Sequence, residues 1–166
     1  MAFEIRTLQR EDDRSTFDCG NEALNTFFRR FAHHHQFKHG ISVTSVAVDG
    51  PRVGGFVTLT ATTLSRTGIP SARSLPPLPL PAVLVARLGV DVSAAGQGLG
   101  GGLLAPAIRA ARVMRRDVGC IGLLVDSKPE AIGFYRKHGF MLLGEPEVEG
   151  GSTRMYLPYE SLSADN

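Results

Sequence analysis

The sequence predicts an α/β (α+β) fold in a single domain, with a mixed, mostly antiparallel central sheet flanked by helices and a parallel crossover at its centre. Three observations predict it. The second half alternates strand, glycine-rich turn, helix and strand, the order of a parallel crossover unit. Strand pairs with hairpin spacing flank that unit, and such pairs are antiparallel. With 166 residues, 43% of them hydrophobic, the chain can build one sizeable core but not two. One domain over residues 1–166 follows.

Residues 3–8 alternate well enough for an edge strand, and the polar stretch 9–21 reads as a connection. Asn21 is an N-cap residue type with Glu22 in the first turn. Beyond it Leu24, Phe27, Phe28, Phe31 and Ala32 recur at three- and four-residue spacing, which predicts a helix with one buried stripe, ended by Gly40. Its polar face carries Arg29, Arg30 and a run of histidines. Two strands over 42–48 and 53–64 form a hairpin about Asp49-Gly50-Pro51. Residues 65–81 hold five of the ten prolines and are predicted as a long extended loop of the kind that shapes binding sites. A strand over 82–91 then leads to a helix from Gly98 to about Arg115. Pro106 should kink that helix near its second turn, because its ring opposes the carbonyl of Gly102 and removes a hydrogen bond. A strand over 120–126, a short helix over 129–138 and strands over 140–143 and 152–159 complete the chain.

No stretch approaches the roughly 18 apolar residues of a membrane span, and the first 14 residues are charged rather than leader-like, so a cytoplasmic protein without membrane association is expected. Cys19 and Cys120 lack the spacing of a disulfide framework or a zinc site. His35 and His39 form a helical pair, but no carboxylate or cysteine lies beside them in sequence, and no metal is expected. All but three of the 18 basic residues are arginine, whose planar fork suits phosphate. Codon usage explains the same bias, and a net charge of +2 is no nucleic-acid signature.

The chemistry concentrates in Ala95-Gly96-Gln97-Gly98-Leu99-Gly100-Gly101-Gly102. Bare backbone lets a ligand approach, and the first N–H groups of the following helix, with its positive dipole end, attract an anion such as a pyrophosphate. Gly96, Gly98 and Gly101 also satisfy the GxGxxG dinucleotide fingerprint. Three features oppose an NAD or FAD site: four residues separate the strand from the turn, no acidic residue caps the next strand before Asp126, and too little chain follows for a doubly wound sheet. A turn that is merely tight is the plainer alternative.

The same turn, followed by Ala131-Ile132-Gly133-Phe134-Tyr135 and then Gly139-Phe140, resembles the GCN5-related N-acetyltransferases (GNAT). Phe17-Asp18-Cys19-Gly20-Asn21, Leu24-Asn25, the proline loop and Ala86-Arg87-Leu88-Gly89-Val90-Asp91 narrow the likeness to the GNAT toxins of bacterial toxin–antitoxin modules. The resemblance implies the GNAT fold and acetyl-CoA as co-substrate, bound by Leu88, Gly89, Val90, Ala95, Gly96, Gln97, Gly98, Leu99, Gly100, Gly101, Ser127 and Phe134. It also implies acetylation of the α-amine of aminoacyl-tRNA, which blocks translation, neutralisation by a ribbon-helix-helix antitoxin, and a homodimer. Three positions depart from the family. Ala95 stands for Gln or Arg, which leaves the backbone donors in place; Lys128 stands for Asn; and Gly89 stands for Ala, a change expected to cost little.

Transfer from a thioester to an amine needs a neutral nucleophile, oxyanion stabilisation and a proton for the departing thiolate. An α-amine with pKa near ~8 is partly neutral at physiological pH, so a water chain can serve as base. The resemblance points to Tyr135 as general acid; a half-buried structural aromatic is the alternative. Arg29, Arg30, Lys38 and Arg87 are candidates for RNA phosphates, against a solvated helix face or, for Arg87, an internal ion pair. Two other functions stay open: a GNAT acting on a small-molecule or protein amine, and a non-catalytic acyl-CoA-binding module.

Overall fold

The computed structural model describes residues 2–67, 69, 75–144 and 151–162. Seven strands form one sheet: β1 (Glu4–Thr7), β2 (Val43–Asp49), β3 (Arg52–Leu64), β4 (Leu80–Val90), β5 (Gly122–Ser127), β6 (Met141–Leu142) and β7 (Thr153–Pro158), in the order β1-β2-β3-β4-β5-β7-β6. The pairs β1/β2, β2/β3, β5/β7 and β6/β7 are antiparallel, so the hairpins expected on either side of the crossover are present. The chain divides into two compact units, Met1–Thr60 with Val85–Ala107, and Ala61–Leu84 with Ile108–Asn166.

Aromatic packing dominates the core of the first unit. Phe28 stacks on Phe56 with centroids 4.3 Å apart, and Phe17 meets both edge-on at 4.8 and 5.4 Å. Phe17 lies in the stretch expected to be a polar connection, yet it is 2% exposed. Hydrogen bonds hold it there. Asn25, fully buried, accepts from the Cys19 N–H at 2.9 Å and donates to the Asp18 carboxylate at 2.9 Å. Asp18 also accepts from the Gly20 N–H, while the Asp91 carboxylate at the end of β4 accepts from the Asp18 N–H at 3.0 Å. Residues 17–25 are thereby clasped to the end of β4.

The helix expected from Asn21 is present and begins with an α-helical turn (α1, Glu22–Thr26), capped by the Asn21 side chain accepting from the Leu24 N–H. Two π-helical stretches follow, Phe27–Phe31 and His34–Lys38, with i→i+5 bonds such as His39 N–H to the His34 carbonyl at 2.9 Å. These wider turns correct the expected stripe. Phe27, Phe28 and Ala32 remain buried, whereas Phe31 is 48% exposed, because a wide turn shifts the face away from the α-helical period.

The helix after the glycine turn is broken where Pro106 predicts. It runs as α2 (Leu99–Gly102) and α3 (Leu104–Asp117), separated by Leu103. Gly102 carries the carbonyl that the Pro106 ring opposes. Leu104, Ala107 and Ala111 form the buried side of α3. In the second unit Ala82, Leu124 and Tyr156 pack together with Leu64, Leu84, Ile121 and Met141. The loop expected over 65–81 ends earlier, since Leu80 and Pro81 already belong to β4; residues 68 and 70–74 of that expectation lie outside the described residues.

Candidate active site

In the first unit the glycine turn hangs from the end of β4. The Asp91 N–H donates to the Gly54 carbonyl at 2.9 Å, and the Asp91 carboxylate caps the 3-10 turn Val92–Ala94 through the Ser93 N–H and hydroxyl. Ala95, Gly96, Gln97 and Gly98 then run exposed. Gly96 and Gly98 take φ of +76° and +75°, a region that L side chains avoid, and no atom lies within 4 Å of where a Cβ would sit on either. Gly98 is the N-cap of α2, so the N–H groups of Leu99, Gly100 and Gly101 have no acceptor within their own helix. An open, side-chain-free face with three outward donors fits a pyrophosphate. Ala95 contributes backbone only.

Side chains alternate along β4. A Cβ on Gly89 would lie 3.0 Å from the Phe56 ring and 3.2 Å from the Cys19 sulfur. The aromatic core has closed over the position, so glycine leaves no cavity there. Two residues earlier, on the same side, the Arg87 guanidinium lies 3.9 Å from the Phe27 ring centroid. Burial pulls its pKa below the ordinary arginine value. Leu88 and Val90 occupy the opposite side, half-buried.

Arg87, Glu22, Ala23, Thr26, Phe27, Phe31 and His35 line an open cleft of about 530 Å³. Nothing in the sequence set Phe31 apart from a core residue, because the signal lay in helical turns wider than the α-helical period. The other basic candidates differ in their freedom. Arg29 donates through both Nε and Nη2 to the Phe17 carbonyl and so supports the clasped segment. Arg30 and Lys38 are exposed. Among the described residues no group of three or more His, Cys, Asp or Glu could hold a metal, the His35/His39 pair included.

In the second unit, Ser127 ends β5 buried, its hydroxyl donating to the Lys128 carbonyl at 2.9 Å, while Lys128 itself is exposed. A 3-10 turn (Pro129–Ala131) opens α4 (Ile132–Lys137), which carries Phe134 and Tyr135 edge-on to each other at 4.9 Å. Phe140 returns against Tyr135 at 5.3 Å, and its N–H donates to the Tyr135 carbonyl at 3.0 Å. Tyr135 is 6% exposed, and burial pushes its pKa up to about 12. Ser42 Oγ is the one buried side-chain polar atom without a partner among the described residues, so the Tyr135 hydroxyl is not sealed in unpaired.

A glycine turn open to an anion and a buried, protonated phenol later in the chain are features that an acyl-CoA transferase can use. The acetyltransferase (GNAT) domain family matches residues 40–142, and the chain belongs to that family. It is 31% identical over 132 residues to the tRNA-acetylating toxin of Mycobacterium tuberculosis, covering 78% of this chain and 79% of that protein. Two solved structures are similar over nearly the whole fold. AtaT complexed with acetyl-methionyl-tRNAfMet superposes with a TM-score of 0.82 at 28% identity, covering 97% of each chain. A tyrosine-to-phenylalanine variant of AtaT bound to the C-terminus of the antitoxin AtaR and acetyl-CoA gives 0.75 at 28%, covering 96% of this chain and 95% of that one. The seven-stranded mixed sheet is that of this family.

Proposed function

We propose that this acetyltransferase moves the acetyl group of acetyl-CoA to the α-amine of aminoacyl-tRNA and so blocks translation. Likeness to tRNA-acetylating relatives over nearly the full chain carries the reading. The domain spans residues 1–166. We further propose a cytoplasmic homodimer held inactive by a ribbon-helix-helix antitoxin; a relative solved with its antitoxin bound supports the antitoxin part of that reading. No helix among the described residues is long and apolar enough to cross a membrane.

Acetyl-CoA supplies an activated thioester. Gly96 to Gly101, Gln97 and Leu99 among them, take its pyrophosphate, with Ala95 beside them; Leu88, Gly89 and Val90 line the pantetheine arm, one of their N–H groups facing the carbonyl oxygen; and the family resemblance assigns Ser127 and Phe134 to acetyl-CoA as well. The neutral amine forms the new C–N bond as the C–S bond breaks, and water takes the amine's surplus proton. Tyr135 is the general acid. Its pKa of about 12 lies above that of a thiol, near ~8.5, so its main contribution is a hydrogen bond to the departing sulfur, whose final proton equilibrates with solvent. Arg30, Lys38 and Arg87 contact RNA phosphates, while the Arg29 guanidinium is taken up by the Phe17 carbonyl.

Incubation with labelled acetyl-CoA, total charged tRNA and a panel of polyamines and peptides tests the reading. Label should enter the aminoacyl-tRNA; label confined to the small amines overturns it and leaves a GNAT for a small acceptor.

A further inference from the structure

Ala95 to Gly98 run exposed, and no atom lies within 4 Å of where a Cβ would sit on Gly96 or Gly98, so the glycine turn has no packing of its own. Glycine loses more conformational freedom on ordering than any other residue. Such a turn binds well only if the protein holds it in place before the ligand arrives. Its far end is held by packing: Leu103 and Leu99 lie over Gly55, where a Cβ would come 2.8 Å from Leu103 Cδ1 and 3.4 Å from Leu99 Cδ2. Its near end is held by hydrogen bonds.

Those bonds converge on Asp91 and Ser93. Asp91 Oδ1 accepts from the Ser93 N–H at 2.9 Å and from the Ser93 hydroxyl at 2.6 Å, while Oδ2 accepts from the Asp18 N–H at 3.0 Å. Burial pushes the Asp91 carboxyl up, but the bonds from Ser93 and Asp18 and the charge of Arg52 outweigh it and hold the group below its ordinary value. It stays an ionised acceptor. With its hydrogen given to Asp91, the Ser93 oxygen can only accept, and Arg52 Nη2 donates to it at 2.6 Å. Arg52 opens β3 opposite Asp49, and its guanidinium lies 5.4 Å from the Phe3 ring centroid, so the donor is itself supported from two sides. The chain from Arg52 to Ser93 to Asp91 has an ion at each end, which strengthens both bonds. Ala95, two residues further on, offers no side chain to brace the turn.

We infer that Arg52 is a positioning residue for acetyl-CoA: through Ser93 it fixes the entrance to the glycine turn and so holds the backbone donors of Gly96 to Gly101 ready for the pyrophosphate. The inference rests on the reading of that turn as the pyrophosphate site and adds a residue 41 positions away from Ser93, outside the motif. Arg52 acts on cofactor affinity without touching the cofactor.

The test is calorimetric titration of the full chain with acetyl-CoA, which needs no acceptor. Arg52→Ala should weaken binding about tenfold, as loss of one charge-assisted hydrogen bond does, with Arg52→Lys intermediate because it keeps a donor and the charge. Ser93→Ala should weaken binding at least as much, and adding Arg52→Ala to it should cost nothing more, since the two act as a unit. Amide relaxation without acetyl-CoA should show lower order parameters at Gly96 and Gly98 in Arg52→Ala and unchanged ones at Leu103, which separates a loosened turn from a loosened fold. Thermal melts confirm that each variant is folded. Unchanged affinity in Arg52→Ala, a turn as rigid as in the parent chain, or losses that multiply in the double variant, which would put Arg52 on the cofactor itself, would each overturn the inference. Gly98→Ala keeps the two failures apart: if it binds acetyl-CoA as the parent does, the site reading falls, whereas if it binds weakly and Arg52→Ala binds normally, only the role of Arg52 falls.

Discussion

The guanidinium of Arg87 on β4 sits 3.9 Å from the centre of the Phe27 ring, where the first helical turn gives way to π-helical geometry. Strand and helix are joined by a charge on a ring. A cation–π contact of this partly desolvated kind contributes about 1 kcal/mol. A double-mutant cycle with Phe27→Leu and Arg87→Ala, read by urea denaturation, should therefore give a coupling near ~1 kcal/mol. Additivity within about 0.3 kcal/mol would show the contact to be without energetic consequence.

Tyr135→Phe keeps the ring that packs against Phe134 and Phe140 and removes only the hydroxyl. Calorimetry should show acetyl-CoA binding unchanged, while single-turnover transfer falls by about 100-fold, the lower end of what a general acid contributes. Unchanged turnover would return Tyr135 to a structural role.

Transfer should rise with pH through the α-amine's pKa near ~8, because only the neutral amine attacks. Burial raises the Tyr135 pKa to about 12, so its proton is retained across that range and the profile should stay level to pH 10. Initial rates with an amide-linked aminoacyl-tRNA analogue measure this without ester hydrolysis. A decline beginning below pH 9 would exclude Tyr135 as the group that must stay protonated.

Asn25→Ala should destabilise the protein by about 2 kcal/mol in urea denaturation, since it leaves the Cys19 N–H and the Asp18 carboxylate without their buried partner. A loss under 0.5 kcal/mol would mean that water replaces the amide.

Gly98→Ala meets no atom within 4 Å, yet φ of +75° strains any L residue. Stability should fall by about 1 kcal/mol, and acetyl-CoA should bind more weakly because the methyl group projects onto the open donor face. Unaltered affinity would place the pyrophosphate elsewhere.

Much of this was legible in the sequence because it depended on local rules. Strand alternation, the Asn21 cap, the glycine turn and the Pro106 break each follow from a few neighbouring residues. What escaped depended on partners distant in the chain. Phe17 is buried because Phe28, Phe56 and the Asn25 amide enclose it, not because its own segment is apolar. Phe31 shares the spacing of its buried neighbours, and only the change of helical pitch turns it outward. Arg87 reads in the sequence as a candidate for RNA phosphate, with an internal ion pair as the alternative; its neighbour in the fold is an aromatic ring brought from 60 residues away.

Asn25, Asp18 and Asp91 tie the backbone of residues 17–25 to the end of β4. A substitution at any of the three therefore loosens the segment that holds Phe17 in the aromatic core, and its effect is read in stability.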